Sequence, residues 1–142
     1  RTCRSLGIEP RVAMLSFSNF GSVDHPFANK VRRATEIAKV KASGLALDGE
    51  MQLVTARQES VRQDYFPFTE LTKNANVLIF PDLQSGNLTM HSLQCMGEAT
   101  AIGPLLMGTR LPAHILQYGA TVQDVVNLTA IAIVEAAELR VT

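Results

Sequence analysis

The chain has 142 residues, of which 46% are hydrophobic and 18% are charged, a composition typical of a globular protein with one core. Lysine plus arginine equals aspartate plus glutamate, at 13 each, so the charge balance indicates neither nucleic acid nor an anionic membrane as a partner. The apolar stretches are too short to span a membrane, and residues 1–10 lack a signal-peptide pattern. We therefore expect a cytoplasmic protein.

The cysteines and histidines predict neither a disulfide framework nor a metal site. Cys3 and Cys95 are the only cysteines, and two thiols so far apart in the sequence are expected to be reduced. The histidines have no close ligand spacing, so we expect no zinc site: His25, His91 and His114.

The first predicted elements are the end of a helix and a strand. Residues 1–6 are interpreted as the last turns of a helix that ends at Gly7, so we expect the chain to be a piece of a larger protein. Residues 11–16 form a short apolar run, which predicts a buried strand. Its exit either is an ordinary polar loop or donates hydrogen bonds to phosphate oxygens, through Ser18, Asn19, Gly21 and Ser22.

A helix and a second strand follow. Residues 23–42 predict an amphipathic helix with Asp24 as its cap and its basic residues on a solvated face. Residues 45–47 predict a short strand. Charge and glycine follow at its exit, and we expect structural roles for Asp48 and Glu50.

The next stretch predicts a helix and then an irregular connection. Residues 51–64 are compatible with a helix, and its polar side carries Arg57, Glu59, Arg62 and Gln63. Residues 65–74 are broken by Pro67, and we expect Leu71 to anchor them to the core.

The segment NVLIFPDLQSGNL, residues 76–88, organises the predicted fold. Val77–Phe80 has no polar alternation, which is typical of a strand buried on both faces of a parallel sheet. Pro81 ends the strand, and Ser85 or Asn87 is predicted to cap a helix over residues 88–96. The free N–H groups at this point either bind an anion or belong to an ordinary strand-to-helix turn.

The C-terminal part predicts a strand and a long helix. An apolar run broken by Gly103 and Pro104 precedes a short predicted strand over residues 113–116. Thr121 is predicted to cap a helix over residues 122–139. Its apolar residues cover more than one face, so we expect it to be buried against a sheet or a partner subunit.

Strands that alternate with helices predict an α/β fold with a mainly parallel sheet and helices on both sides. The sequence contains no GxGxxG motif, no Walker lysine and no GxSxG. A Rossmann dinucleotide site, a P-loop and a nucleophile elbow are therefore not predicted.

Five segments together resemble, in the same order, the phosphate acetyltransferase and butyryltransferase family. They are MLSFSNFGS (14–22), DGEMQ (48–52), NVLIFPDLQSGN (76–87), AIGPLLMG (101–108) and TVQDVVNLTAIA (121–132). The resemblance assigns residues 1–142 to the C-terminal part of that family's module. It implies a three-layer sandwich with a mainly parallel sheet, of the isocitrate/isopropylmalate dehydrogenase-like, phosphotransacetylase type.

One motif departs from the family pattern. The catalytic members carry a Ser-Arg pair directly before a glycine and an aspartate shortly after it; here Gln117 and Tyr118 precede Gly119, and Asp124 matches the aspartate. Neither replacement supplies the paired, charged donors of a guanidinium. Loss of such a clamp costs roughly 3–4 kcal/mol of transition-state stabilisation, by analogy with one oxyanion-hole donor.

Two further segments, RSLGIEPRVAMLSFSNFGS (4–22) and HILQYGATV (114–122), resemble the C-terminal domain of bacterial NADP-dependent malic enzymes. That resemblance implies a non-catalytic domain that senses acetyl-CoA and assembles a homo-oligomer. Malate oxidation, with its NADP and divalent metal, would then belong to another domain. No nucleic-acid or membrane partner is implied.

The candidate ligand site under this interpretation combines the two strand exits with one neighbouring wall. Its residues are Ser16, Ser18, Asn19, Gly21, Ser22, Asp82, Ser85, Gly86, Asn87, Gly103 and Pro104. We expect Asp82 to orient its loop or to meet a ligand amide, because a carboxylate repels phosphate. Two alternatives stay open: an active phosphate acyltransferase, for which Arg110 is a nearby arginine in the chain, and a purely structural oligomerisation domain.

Overall fold

The computed structural model describes residues 2–139, which form two compact units. One unit contains residues 10–91, and the other contains the residues before 10 and after 91. In chain order the elements are α1 (Thr2–Ser5), β1 (Arg11–Leu15), α2 (Pro26–Lys41), β2 (Ala46–Met51), α3 (Leu53–Arg57), α4 (Glu59–Tyr65), β3 (Val77–Ile79), α5 (Leu83–Met96) and α6 (Val122–Leu139).

The unit of residues 10–91 is built on a parallel sheet of order β2-β1-β3. Val12 of β1 lies opposite Leu47 of β2 on one side and Val77 of β3 on the other. Helix α2 makes the crossover from β1 to β2, the connection that parallel neighbours require. The predicted α/β class with a parallel sheet is therefore confirmed.

Small and medium apolar side chains fill the core of this unit. The buried cluster consists of Ala13, Leu15, Met51, Ala56, Leu71 and Ala75, so the predicted anchoring by Leu71 is confirmed. The backbones of β1 and β2 approach closely at Gly49, where a Cβ atom would lie 2.6 Å from the carbonyl oxygen of Met14. Only glycine fits there, since its φ of +147° is also one that other residues rarely adopt.

The second strand is longer than the sequence predicted. It continues through Asp48, Gly49 and Glu50 to Met51, whereas a strand of three residues was expected. The prediction was wrong because it ended the strand at its charged residues; both carboxylates are buried and form ion pairs inside the fold. Residues 51–64 likewise do not form one helix, since Gln58 is extended and separates α3 from α4.

The central predicted strand is an edge strand of the three-stranded sheet. β3 pairs with β1 alone, and none of its residues is fully buried, so burial on both faces was a wrong prediction within this chain. The following helix begins at Leu83 rather than at Leu88. Its first turn is stabilised by Asp82, whose Oδ1 accepts from the N–H of Ser85 at 2.8 Å, so neither Ser85 nor Asn87 is the cap.

Three other predictions concern caps and strands. The cap of α2 is His25, whose Nδ1 accepts from the N–H of Phe27, and not Asp24. Residues 113–116 form no strand. The predicted ending of the first helix before Gly7 is confirmed, with Gly7 at a φ of +70°.

Helix α6 has the predicted bounds and the predicted cap. The Oγ1 of Thr121 accepts from the N–H of Asp124 at 3.2 Å. Leu128 is its only fully buried residue among those described and Val122 is 82% exposed, so the predicted burial against a sheet or a partner subunit is not met within this chain. Burial against a partner subunit stays a prediction. No helix within the described residues has the length and apolar character needed to cross a membrane.

Candidate functional site

The exit of β1 is folded around the buried carboxylate of Glu50. Its Oε1 accepts from Ser18 Oγ at 2.9 Å and from the N–H of Gly21 at 2.8 Å. Arg32 of α2 donates to both carboxylate oxygens at 3.1 Å. The carboxylate is fully buried, and a buried charge is tolerated only when it is paired and hydrogen-bonded in this way.

These bonds determine which predicted donors face solvent. Ser18 is fully buried and directed at Glu50, so its hydroxyl points into the fold rather than toward a surface ligand. The Oγ of Ser22 accepts from the N–H of Asn19 at 2.9 Å, and Asn19 Oδ1 accepts from Gln52 N–H at 2.8 Å. Ser16 Oγ accepts from Ser18 N–H at 3.3 Å. The loop therefore satisfies most of its own polar groups, and its exposed residues are Phe17, Gly21 and Ser22.

A second buried carboxylate, Asp48, connects β2 to α2 and to the connection after α4. Lys39 donates to Asp48 Oδ1 at 2.8 Å, and Thr69 Oγ1 and the N–H of Glu70 donate to Oδ2 at 2.7 and 2.8 Å. Burial alone would raise the pKa of Asp48, but these hydrogen bonds lower it below its ordinary value. Burial likewise opposes the lowered pKa of Glu50, which Arg32, Gly21 and Ser18 depress. The sequence-based structural roles of Asp48 and Glu50 agree with these contacts.

We expect the protein to lose stability as the pH falls below the ordinary carboxyl range. The ordinary pKa values, which hold in the unfolded chain, are 4.5 for Glu50 and 3.8 for Asp48. In the folded chain both carboxylates stay ionised to lower pH. Their stabilisation is therefore present above the unfolded pKa values and is lost as the pH falls through the folded ones. Denaturant unfolding across about pH 5 to 3 measures this slope, to which each group contributes at most about 1.4 kcal/mol per pH unit.

Asp48→Asn should reduce that slope, since it removes one of the two titrating groups. Glu36→Gln is the matched control, because Glu36 is exposed and pairs with Arg33 on the surface of α2. An unchanged slope in Asp48→Asn, or an equal reduction in Glu36→Gln, would contradict the assignment.

The exit of β3 places a carboxylate at the start of α5. Asp82 accepts from Ser85 N–H, and hydrogen bonds from the backbone and side chain of Ser85 lower the pKa of this exposed carboxyl. Lys30 of α2 donates to the Pro81 carbonyl oxygen at 2.7 Å. Gly86 lies against the ring of Phe80, and Asn87 is exposed. The carboxylate of Asp82 thus already lies at the helix start, where the sequence predicted either an anion-binding site or an ordinary turn.

The two strand exits lie at the same edge of the sheet, because β1 and β3 are parallel neighbours. The structure therefore brings the loop of residues 16–22 and the start of α5, with Asp82 before it, to one sheet edge, as the sequence predicted. Gly103 and Pro104 belong to the other unit, in a segment without helix or strand. The edge offers hydroxyls, an amide and the ammonium of Lys30, which suit binding of a polar ligand rather than covalent chemistry.

Sequence reasoning missed the residues that hold this edge together. Arg32 and Lys39 were assigned to a solvated face, but they pair with Glu50 and Asp48. Their spacing of seven residues puts them on one face of a helix, and this was the available signal. Within residues 2–139, no group of three histidine, cysteine, aspartate or glutamate side chains is arranged to hold a metal ion.

The departure from the family motif lies in a turn before α6. The N–H of Ala120 donates to the Gln117 carbonyl oxygen, and Tyr118 is fully exposed. Asp124 Oδ2 accepts from both the N–H and the Oγ1 of Thr121 at 2.8 Å, and these bonds lower the pKa of Asp124. The side chain of Asp124 is therefore engaged in capping α6.

Comparison with known families decides the assignment. The family described as phosphate acetyl/butaryl transferase matches residues 1–133. The chain belongs to this family. Both phosphate acetyltransferases and malic enzymes are among its relatives in that family. It is 46% identical over 131 residues to the phosphate acetyltransferase of Thermoanaerobacterium thermosaccharolyticum, covering 92% of this chain and 40% of that enzyme.

The malic enzyme relatives match over a smaller share of their length. The chain is 42% identical over 136 residues to the NADP-dependent malic enzyme of Escherichia coli strain K12, covering 95% of this chain and 18% of that enzyme. In structure it is similar to a phosphotransacetylase from Streptococcus pyogenes, with a TM-score of 0.89, 40% identity, and coverage of 96% of this chain and 42% of the other. The chain thus spans less than half the length of each of these relatives.

Proposed function

We propose that this chain is a non-catalytic regulatory and oligomerisation domain of an NADP-dependent malic enzyme. The observation that carries the proposal is the pair Gln117 and Tyr118, which stands where the family's catalytic members have Ser-Arg. Tyr118 is fully exposed in its turn, and it carries no charge with which to hold a phosphate or thioester oxygen.

The 42% identity to a malic enzyme across 95% of the chain supports this reading. Under it, malate is oxidatively decarboxylated to pyruvate in another part of the protein, which holds the NADP and a divalent metal. The whole module has the three-layer architecture of the isocitrate/isopropylmalate dehydrogenase-like, phosphotransacetylase type. Exposed apolar residues on α6, such as Val122, Val126 and Ile133, suit burial in a homo-oligomer.

The proposed effector is acetyl-CoA, bound at the sheet edge formed by residues 16–22 and 82–87. Ser22 and Asn87 are exposed there and supply a hydroxyl and an amide for phosphate or carbonyl oxygens, whereas the N–H of Gly21 already donates to Glu50. Lys30 adds a positive charge beside Pro81. Regulation then requires acetyl-CoA to bind two states of the enzyme unequally.

We expect isothermal titration to detect acetyl-CoA binding to the full-length protein, and acetyl-CoA to change its malate kinetics. The same titration into the 142-residue chain locates the site. Binding to the full protein alone would mean that the sheet edge is one wall of a shared site. Absence of binding to either would sink the effector proposal.

An active phosphate acyltransferase is the second candidate, favoured by the 46% identity to a phosphate acetyltransferase. It requires an arginine from elsewhere to replace the missing one, and Arg110 is near in the chain. Acetyl phosphate formation by the full-length protein at ordinary enzymatic turnover would establish it. A purely structural oligomerisation domain is the third candidate. It would be favoured by intact assembly together with malate kinetics that acetyl-CoA leaves unchanged.

A further inference from the structure

Phe20, in the loop that follows β1, has a backbone conformation that few side chains adopt. Its φ is +46°, which lies in the left-handed region, where a bulky residue is a clear outlier. Such a conformation persists only where the surrounding structure holds it. The contacts of Phe20 therefore show what fixes this loop.

The backbone at Phe20 and its neighbour is directed at Glu50. The N–H of Phe20 donates to the Glu50 carbonyl oxygen at 2.7 Å, and the N–H of Gly21 donates to the Glu50 carboxylate at 2.8 Å. Two successive N–H groups thus face one residue of β2. A change of Phe20 to a negative φ would turn the N–H of Gly21 away from Glu50 and redirect Ser22.

Two aromatic rings hold the side chain of Phe20 in place. Its ring centroid lies 5.2 Å from that of Phe66, at an interplanar angle of 47°, and 5.0 Å from that of Phe68, at 76°. These separations lie in the range in which aromatic pairs are favourable. The rings of Phe66 and Phe68 are themselves 6.2 Å apart, at 85°. The three rings therefore form one cluster, the aromatic clamp, in which Phe20 contacts both of the others.

The other two rings of the aromatic clamp belong to a turn that is anchored to β2. The N–H of Thr69 donates to the Phe66 carbonyl oxygen at 3.0 Å, which closes a turn that contains Phe68. The Oγ1 of Thr69 and the N–H of Glu70 donate to the buried carboxylate of Asp48. The clamp therefore connects the loop after β1 to a segment that the sheet itself holds in place.

We propose that Phe20 is a positioning residue of the candidate effector site. The aromatic clamp offsets the cost of its left-handed conformation. That conformation directs Gly21 to Glu50 and leaves Ser22 exposed at the sheet edge. Phe66 and Phe68 thus control the effector loop from the connection after α4. The relevance to acetyl-CoA rests on the proposed function, whereas the control of the loop by the clamp does not.

The test measures backbone hydrogen exchange of the full-length protein by mass spectrometry, in a peptide that covers residues 16–24. Phe68→Ala removes one ring of the clamp, and the core keeps its side chains because Phe68 is 66% exposed. We expect exchange in this peptide to accelerate about 2–10-fold, the factor for loss of one aromatic pair. Phe68→Tyr keeps the ring and should show the exchange of the unmodified protein.

Tyr65→Ala is the matched control for Phe68→Ala. Tyr65 is an exposed aromatic residue whose ring pairs with Phe66, at 6.4 Å, rather than with Phe20, so its removal should leave exchange of residues 16–24 unchanged. Unchanged exchange in Phe68→Ala, or an equal acceleration in Tyr65→Ala, would overturn the proposal. An equal acceleration of residues 11–15 in Phe68→Ala would also overturn it, because that result indicates general destabilisation rather than release of the loop.

Acetyl-CoA at ten times its dissociation constant separates this inference from the proposed function. If the clamp and the loop open together, the effector should slow exchange about tenfold in residues 16–24 and also in residues 65–71. In Phe68→Ala the slowing should be confined to residues 16–24. Slowing confined to residues 16–24 in the unmodified protein would contradict the clamp. No effect of acetyl-CoA would count against the effector alone, since exchange in the free protein still decides whether the clamp holds the loop.

Discussion

Replacing Arg62 by alanine is expected to lower the free energy of unfolding by about 3–5 kcal/mol, because it leaves several buried acceptors unpaired, each at a cost of about 1–3 kcal/mol. Arg62 is 1% exposed, and its guanidinium donates to three backbone carbonyl oxygens and one side-chain amide oxygen. Its Nη1 donates to the carbonyl oxygens of Thr55 and Ala56 at 2.8 and 3.0 Å, and its Nε donates to that of Leu71 at 3.1 Å. Nη2 donates to Asn74 Oδ1 at 3.0 Å, so one side chain connects α3, α4 and residues 71–74.

Urea unfolding of the variant measures the loss, with Arg57→Ala as the matched control. Arg57 is an exposed arginine of α3 that makes one hydrogen bond of this kind, from Nη1 to the Ala75 carbonyl oxygen at 2.6 Å. Its removal should cost about 1 kcal/mol, the net value of a typical hydrogen bond. Arg62→Lys should rescue little, because an ammonium cannot reach acceptors arranged around a planar fork. Equal losses in Arg62→Ala and Arg57→Ala would show that the buried network is not what stabilises this region.

Arg62 also shows where sequence reasoning stopped. It was predicted on the polar side of a helix, because an arginine among polar neighbours is usually solvated. Its acceptors are backbone carbonyl oxygens and one amide, and backbone groups are present at every position. No pattern of residue types could therefore identify them.

The same limit explains the second strand. The segment ALDGEM contains two carboxylates. Burying them in a strand is unfavourable unless each is paired with a cation. Those cations, Arg32 and Lys39, lie on the preceding helix, and only the tertiary pairing of α2 with β2 makes the longer strand favourable. Helix α6 was predicted with its observed bounds because its signals are local: a capping threonine and an aspartate three residues later.

The candidate effector site was predicted in outline for a similar reason. Two parallel neighbouring strands must end at the same edge, so the segments of residues 16–22 and 82–87 could be placed together from element order alone. The orientation of individual side chains could not. Ser18 points at a glutamate 32 residues away, and Asp82 caps a helix that begins five residues earlier than predicted.

Restoring the family pair by Gln117→Ser together with Tyr118→Arg is expected to raise acetyl phosphate formation from acetyl-CoA and phosphate by about 10²–10³-fold. This is the range for one preorganised transition-state donor. The turn tolerates the change, because Tyr118 is fully exposed and the bond from Ala120 N–H to the Gln117 carbonyl oxygen uses backbone atoms alone. The measurement is the initial rate of acetyl phosphate formation by full-length protein, compared with the unmodified protein under the same conditions.

Gln117→Ser together with Tyr118→Lys is the matched control, since lysine restores the charge without the two-pronged donor geometry. We expect this lysine variant to recover less activity than the arginine variant. A separate variant, Asp124→Asn added to the arginine variant, tests whether the capping aspartate also acts in turnover. Ordinary turnover by the unmodified protein would contradict the non-catalytic assignment. No gain in the arginine variant would mean that the missing pair is not what separates this chain from its catalytic relatives.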